Sequence, residues 1–156
     1  MPKDYTHRNL IVWQRAQELA HQMIKLTRRL PQNWANAVLA RQIITAATSI
    51  GANIAEGHGR YTLGAHGNHL SIAKGSAAET DSWLDSLCRE GYLSREEEAP
   101  LHNECMEIMF MLTSKILDLE RLERAGSKKI REAQEIYNIT ESSESPSFPF
   151  VLDDYE

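Results

Sequence analysis

Three groupings of side chains have the types and spacing that chemistry uses. Glu18-Leu19-Ala20-His21 is a Glu-x-x-His, which on a helix sets its two polar groups one turn apart. It is half the ligand set of a di-iron bundle, which needs a second such motif and two more inward glutamates. No second copy occurs, so a solvated Glu beside a His is the simpler reading. His66 with His69, and His102 with Cys105, are i, i+3 pairs. Both pairs fall near helix starts. At about 1.5 Å per residue, more than twenty residues of helix hold them over 30 Å apart in an antiparallel hairpin. They cannot share one ion within a protomer. His58, His66 and His69 meet at a helix–helix corner, where zinc would require three converging imidazoles and outer partners. Polar surface or interface histidines are the alternative, and no metal or other cofactor is assigned.

Nothing else in the sequence carries catalysis. There is no nucleophile elbow, phosphate-cradling glycine loop or Cys-x-x-Cys. Gly57-His58-Gly59-Arg60 reads as a turn. Cys105 falls in an apolar stripe, where cysteine acts as a small hydrophobe. The expectation is a protein that is not an enzyme.

The elements that must position these groups are helical. The 156 residues suit one domain, with 42% hydrophobic and 25% charged residues. No apolar run is long enough for a membrane span, and the N-terminus lacks a signal peptide's apolar core. Two cysteines make no disulfide framework, so a reduced, cytoplasmic protein is expected. Val12, Ala16, Leu19, Met23, Leu26 and Leu30 form one stripe, ended by Pro31. Asn33 or Asn36 caps a second helix that runs to the Glu56-Gly57 stop. Thr62 caps a third, with the stripe Leu70, Ala73, Ala77, Thr80, Leu84 and Leu87, ended by Gly91. Ser94 and Glu97 match a capping box for a fourth, whose stripe runs from Leu101 through Cys105, Ile108, Leu112, Ile116 and Leu119 to Leu122. Pro100 should kink its first turn or displace its start. The spacing thus predicts an all-α, antiparallel up-and-down four-helix bundle over residues 1–126. A short helix follows over 127–139, then an acidic, flexible tail over 140–156.

The second helix holds no charge from Gln42 to Ala55, and its apolar residues go all the way round. A helix apolar all round is buried on more than one side, and a small bundle cannot do that alone. A homo-oligomer follows, with Ala47, Ile50, Ala52, Asn53, Glu56 and Arg60 as candidate subunit-interface residues. Packing under the C-terminal extension is the alternative. Asn53 and Glu56 are either a hydrogen-bonded node between helices or subunits, with Arg60 or Arg41, or a cap facing water.

Charge is unevenly distributed. Residues 1–75 hold nine Lys/Arg against three Asp/Glu, and residues 76–156 hold eight against nineteen, for a net charge of −5. Arg8, Arg15, Lys25, Arg28, Arg29 and Arg41, with Trp34, form the candidate nucleic-acid surface. A solvated helix face is the plainer reading of the same residues. In the tail, Phe148, Phe150 and Leu152 flank Pro149 between acidic residues. They suit an extended docking peptide for the chain's own basic half or an external partner, or they belong to a solubilising tail.

Two blocks carry a family resemblance. One is Leu10-Ile11-Val12-Trp13-Gln14-Arg15-Ala16 with Leu30-Pro31; the other is Arg41-Gln42-Ile43, Ala46-Ala47, Ser49-Ile50, Asn53-Ile54-Ala55-Glu56-Gly57, Gly59-Arg60, then Ile72-Ala73-Lys74-Gly75-Ser76 and Glu79. Over about residues 8–122 the chain resembles the four-helix-bundle family encoded in intervening sequences of bacterial 23S rRNA genes. The resemblance implies a ring-like homopentamer without enzymatic activity. A related branch, the accessory variability determinant of diversity-generating retroelements, partners a reverse transcriptase and RNA. The expected function is an accessory scaffold in a nucleoprotein assembly. The rival is a protein-interaction module with no nucleic-acid role, working through the acidic half and aromatic tail.

Overall fold

The computed structural model describes residues 6–143, with side chains over 6–133 and at 135. The candidate docking residues Phe148, Phe150 and Leu152 lie outside the described residues. A 3-10 turn, His7–Asn9, leads into α1 (Ile11–Thr27), α2 (Trp34–His58), α3 (Leu63–Arg89) and α4 (Arg95–Ser143). The chain divides into two units, 1–122 and 123–156.

Side chains and backbone close the helix ends as the sequence requires. Asn33 Oδ1 accepts the Asn36 N–H at 2.9 Å, and Thr62 Oγ1 accepts the Ala65 N–H at 3.2 Å. At α4, Glu97 N–H donates to Ser94 Oγ at 3.2 Å while Ser94 N–H donates to Glu97 at 3.1 Å, a reciprocal capping box. Each satisfies a donor that the first helical turn leaves unpaired. Ser94→Ala should therefore cost about 1 kcal/mol, read as a lower urea midpoint at unchanged slope. An unmoved midpoint would show that the box adds no stability. At the end of α3, Gly91 takes φ 75°, Tyr92 N–H reaches Leu87 O at 2.9 Å and Gly91 N–H reaches Cys88 O at 3.1 Å. That is a Schellman ending, which needs the left-handed residue glycine supplies.

Two expectations are corrected, and one of the two alternatives for Pro100 is removed. Gly57 does not stop α2, which runs to His58 with Gly59 as its cap. Its lack of a side chain serves packing instead: a Cβ there would sit 2.9 Å from His69 Cβ and 3.2 Å from the His66 carbonyl. Pro100 lies inside α4 and does not displace its start at Arg95, which the capping box holds. The helix also runs unbroken through Gly126, so the segment 127–139 is part of α4 rather than a separate helix. One exposed helical glycine weakens a helix by about 1 kcal/mol, too little to end it.

The stripes meet in one core. Ala16, Leu19, Met23 and Leu26 of α1 pack with Ile43, Ala47, Ile50 and Ile54 of α2. Leu70, Ala73, Ala77, Leu84 and Leu87 of α3 and Cys105, Ile108, Leu112 and Leu119 of α4 complete it. Leu122, the last residue of the fourth stripe, is exposed. Trp13 and Gln17 of α1 lie against Gly51 of α2, where an added Cβ would meet both side chains. Ser76 of α3 donates to Ser49 of α2 at 3.0 Å. His102 of α4 meets Asp81 of α3 at 2.7 Å, and Arg15 of α1 meets Glu104 of α4 at 2.7 Å. Each helix thus touches the next and α4 closes back on α1: an antiparallel up-and-down four-helix bundle.

Candidate functional site at the α1–α2 turn

The α1–α2 connection is held from beneath. Leu30 is buried in the core, while Arg29 and Leu30 N–H groups bond Leu26 and Thr27 carbonyls. Pro31 cannot continue the helix, and its carbonyl accepts from the buried Asn36 Nδ2 at 2.8 Å. With Asn33 and Asn36 both occupied by the turn, the indole of Trp34 is left 82% exposed. Arg28, Trp34, Asn33 and Asn36 are among the residues lining an open cavity of about 450 Å³. Lys25, Arg28 and Arg41 are exposed and make no ion pair among the described residues. A flat aromatic with the unpaired Arg28 on the same cavity is an arrangement that stacks a nucleobase and holds its phosphate.

The remaining basic candidates do not join this patch. Arg15 donates to both Glu104 oxygens, at 2.7 and 2.8 Å, and lies 3.8 Å from Glu107. The hydrogen bond to Glu104 raises its guanidinium pKa. Arg29 pairs with Glu97 at 2.9 Å. Arg8 lies in the turn before α1, about 30 Å of helical rise from Arg28. The seven-residue spacing of Arg8, Arg15 and Arg29 marks a side of the chain, and the acids of α4 occupy that side.

The interface candidates also divide. Ala47 and Ile50 are fully buried in the protomer's own core, which corrects their reading as subunit contacts. Ala52 is exposed. Asn53 Nδ2 donates to Ser49 O at 2.9 Å and Ser49 Oγ at 3.1 Å, and its Oδ1 lies 3.4 Å from His69 Nδ1. Glu56 pairs with Arg60 and lies 3.7 Å from His69. These bonds run within the chain, from α2 to itself and to α3.

His58 and His66 stack edge to face at 6.4 Å. Among the described residues no three His, Cys, Asp or Glu are placed to hold a metal. Burial drives the Cys105 thiol up to about 12, so it stays protonated in the core. His66 is pushed below its ordinary 6.5, chiefly by burial, then by Lys115, His58 and His69. A base with a lowered folded pKa binds its proton more readily unfolded. Stability should therefore fall as pH drops below about 6.5 and level off below the folded value. Urea denaturation from pH 8 to 5 checks this; His66→Asn should flatten the fall, and an unaltered slope would exclude His66 as its source.

The cavity lined by Trp34 could not be read beforehand, because Asn36, which ties the turn from inside, reads in the sequence only as a second cap candidate. Sequence reasoning also missed Lys115 of α4, which lines the same groove as His66.

Residues 8–114 match the family model described as 23S rRNA-intervening sequence protein. Among solved structures, the chain is similar to a protein of unknown function from the S23 ribosomal protein family of Bacteroides thetaiotaomicron. The two share 34% identity over 68% of this chain and 98% of that one, with a TM-score of 0.64. No curated protein matches.

Proposed function

Since this chain belongs to the 23S rRNA-intervening sequence protein family, we propose that it is a non-enzymatic, homo-oligomeric scaffold, a ring of five subunits. It serves as an accessory protein in a nucleoprotein assembly, with RNA and a reverse transcriptase as partners. The observation that carries the nucleic-acid part is Trp34, 82% exposed at the α1–α2 turn and lining one cavity with the unpaired Arg28. A ring repeats this patch, and repetition raises avidity without new contacts. The oligomer draws support from the outer face of α2, where Thr45, Thr48 and Ala52 are exposed without a charge between Gln42 and Ala55. On α3, Ile72 and Gly75 are also exposed, one turn before Glu79.

Anisotropy titration with a fluorescent single-stranded RNA tests the patch. Trp34→Ala should weaken binding about tenfold, within the usual worth of one stacked base. Arg28→Glu should weaken it and flatten its salt dependence, while Arg8→Glu should leave it unchanged. Absence of binding at low salt would reject the nucleic-acid role. It would favour a protein-interaction module, for which Met106, Phe110 and Leu117 supply an observation: they are exposed along one face of α4.

A further inference from the structure

The bundle end away from the α1–α2 turn holds an open groove of about 660 Å³, lined by the start of α1 and by α2, α3 and α4. Its apolar surface comes from Leu10, Ile54, Leu70, Met111, Leu112 and Leu119. Its ionisable lining is entirely basic: Lys115, His58 and His66. No carboxylate lines it, although the chain carries 22 Asp and Glu against 17 Lys and Arg. Lys115 is exposed and makes no ion pair among the described residues. An apolar trough with one ammonium, Lys115, and two imidazoles that can donate N–H hydrogen bonds at its rim suits a ligand whose apolar stretch adjoins carboxylates.

The chain contains such a stretch. Phe148-Pro149-Phe150-Val151-Leu152 is followed by Asp153-Asp154 and preceded by Glu144. Two of the three phenylalanines of the protein lie within these seven residues. Pro149 disfavours helix for itself and for Phe148, so an extended segment presents alternate side chains to one surface. Neither a metal nor a nucleic acid suits the groove as well. Two imidazoles and an ammonium offer no metal set, and phosphates would leave the apolar surface uncovered.

We propose that this groove receives the Phe148–Asp154 segment of a second copy of the chain. Phe148 and Phe150 cover the apolar surface, and Asp153 and Asp154 meet Lys115 and the two imidazoles. That a second copy supplies the segment rests on the assembly proposed above.

The test uses the full chain carrying Phe148→Ala and Phe150→Ala, with histidines isotopically labelled, titrated with a synthetic peptide of residues 144–156. The His58 and His66 ring signals should shift and saturate. Lys115→Glu, at an exposed site, should keep the melting temperature and weaken the peptide at least tenfold; Lys115→Gln should weaken it less. A peptide with both phenylalanines replaced by alanine should not bind. Unmoved ring signals at millimolar peptide, or equal binding by Lys115→Glu, would overturn the proposal. So would saturation by dodecanoate where the peptide fails, which would make the groove a site for a free acyl carboxylate. The titration reads the groove whatever the subunit count. Sedimentation of the unmodified chain reads the assembly, so a monomer that still binds the peptide would defeat only the second-copy placement.

Discussion

Ala47→Asp should strongly destabilise the fold, whereas Ala52→Asp, five residues along the same helix, should leave each protomer folded and split the oligomer proposed above. Ala47 is fully buried, among residues of the one hydrophobic core. An uncompensated charge there costs about 3–5 kcal/mol, a large part of the 5–15 kcal/mol that typically holds a domain together. Ala52 is exposed, so a carboxylate stays hydrated in the isolated protomer and moves its stability by about 0.5 kcal/mol or less. In the oligomer the same carboxylate would enter the uncharged face of α2, where no Lys or Arg lies between Gln42 and Ala55. Circular dichroism melts separate the two variants, and sedimentation reads the assembly. An unmodified chain that sediments as a monomer, or an Ala52→Asp oligomer of unchanged size, would refute the interface.

The second large effect is expected at Gly57. Alanine normally gains up to 1 kcal/mol over glycine inside a helix. At Gly57 the first added carbon already meets His69 Cβ at 2.9 Å and a backbone carbonyl at 3.2 Å, neither a flexible side-chain end. Gly57→Val, with two more carbons, should force α2 and α3 apart and cost about 3 kcal/mol, as overpacking of a tight contact does. Gly67→Ala is the control: nothing lies within 4 Å of its added carbon, so it should stabilise by about 0.5–1 kcal/mol. Equal effects at the two glycines would mean that helix propensity, not close approach, decides both.

What could be read beforehand was whatever lies within one helix. The stripe Leu70–Leu87 is buried at every position named for it, and the capping box at Ser94 forms as its spacing dictates. Partners across helices could not be read, because periodicity gives the side of a helix and not what faces it. Arg15 and Arg29 looked like free cations for that reason, and Glu104 and Glu97 hold them. Helix α2 shows the same limit. Its sequence reads as two buried sides, and within the protomer one side is in the core while the other, with Thr45, Thr48 and Ala52, is exposed. Gly57 read as punctuation because a glycine that admits a neighbouring helix and one that ends its own look alike in one sequence.

The two flanks of α1 carry a further consequence, for the hand in which the bundle winds. Around the helix, Trp13 and Gln17 lie to one side of the Ala16–Leu19–Met23 stripe, against α2, and Arg15 lies to the other, against α4. The same four helices could pack in the mirror-image order with the same residues pointing inward. That order would turn Arg15 toward α2, whose only charges are Arg41 and Glu56 with none between, and leave Glu104 and Glu107 without their cation. It would also press the indole of Trp13 against the acidic α4 and strand Gly51 with no side chain to receive. Hydrophobic pattern alone is blind to this choice of chirality; the asymmetric edges of α1 break the tie and exclude the competing topology.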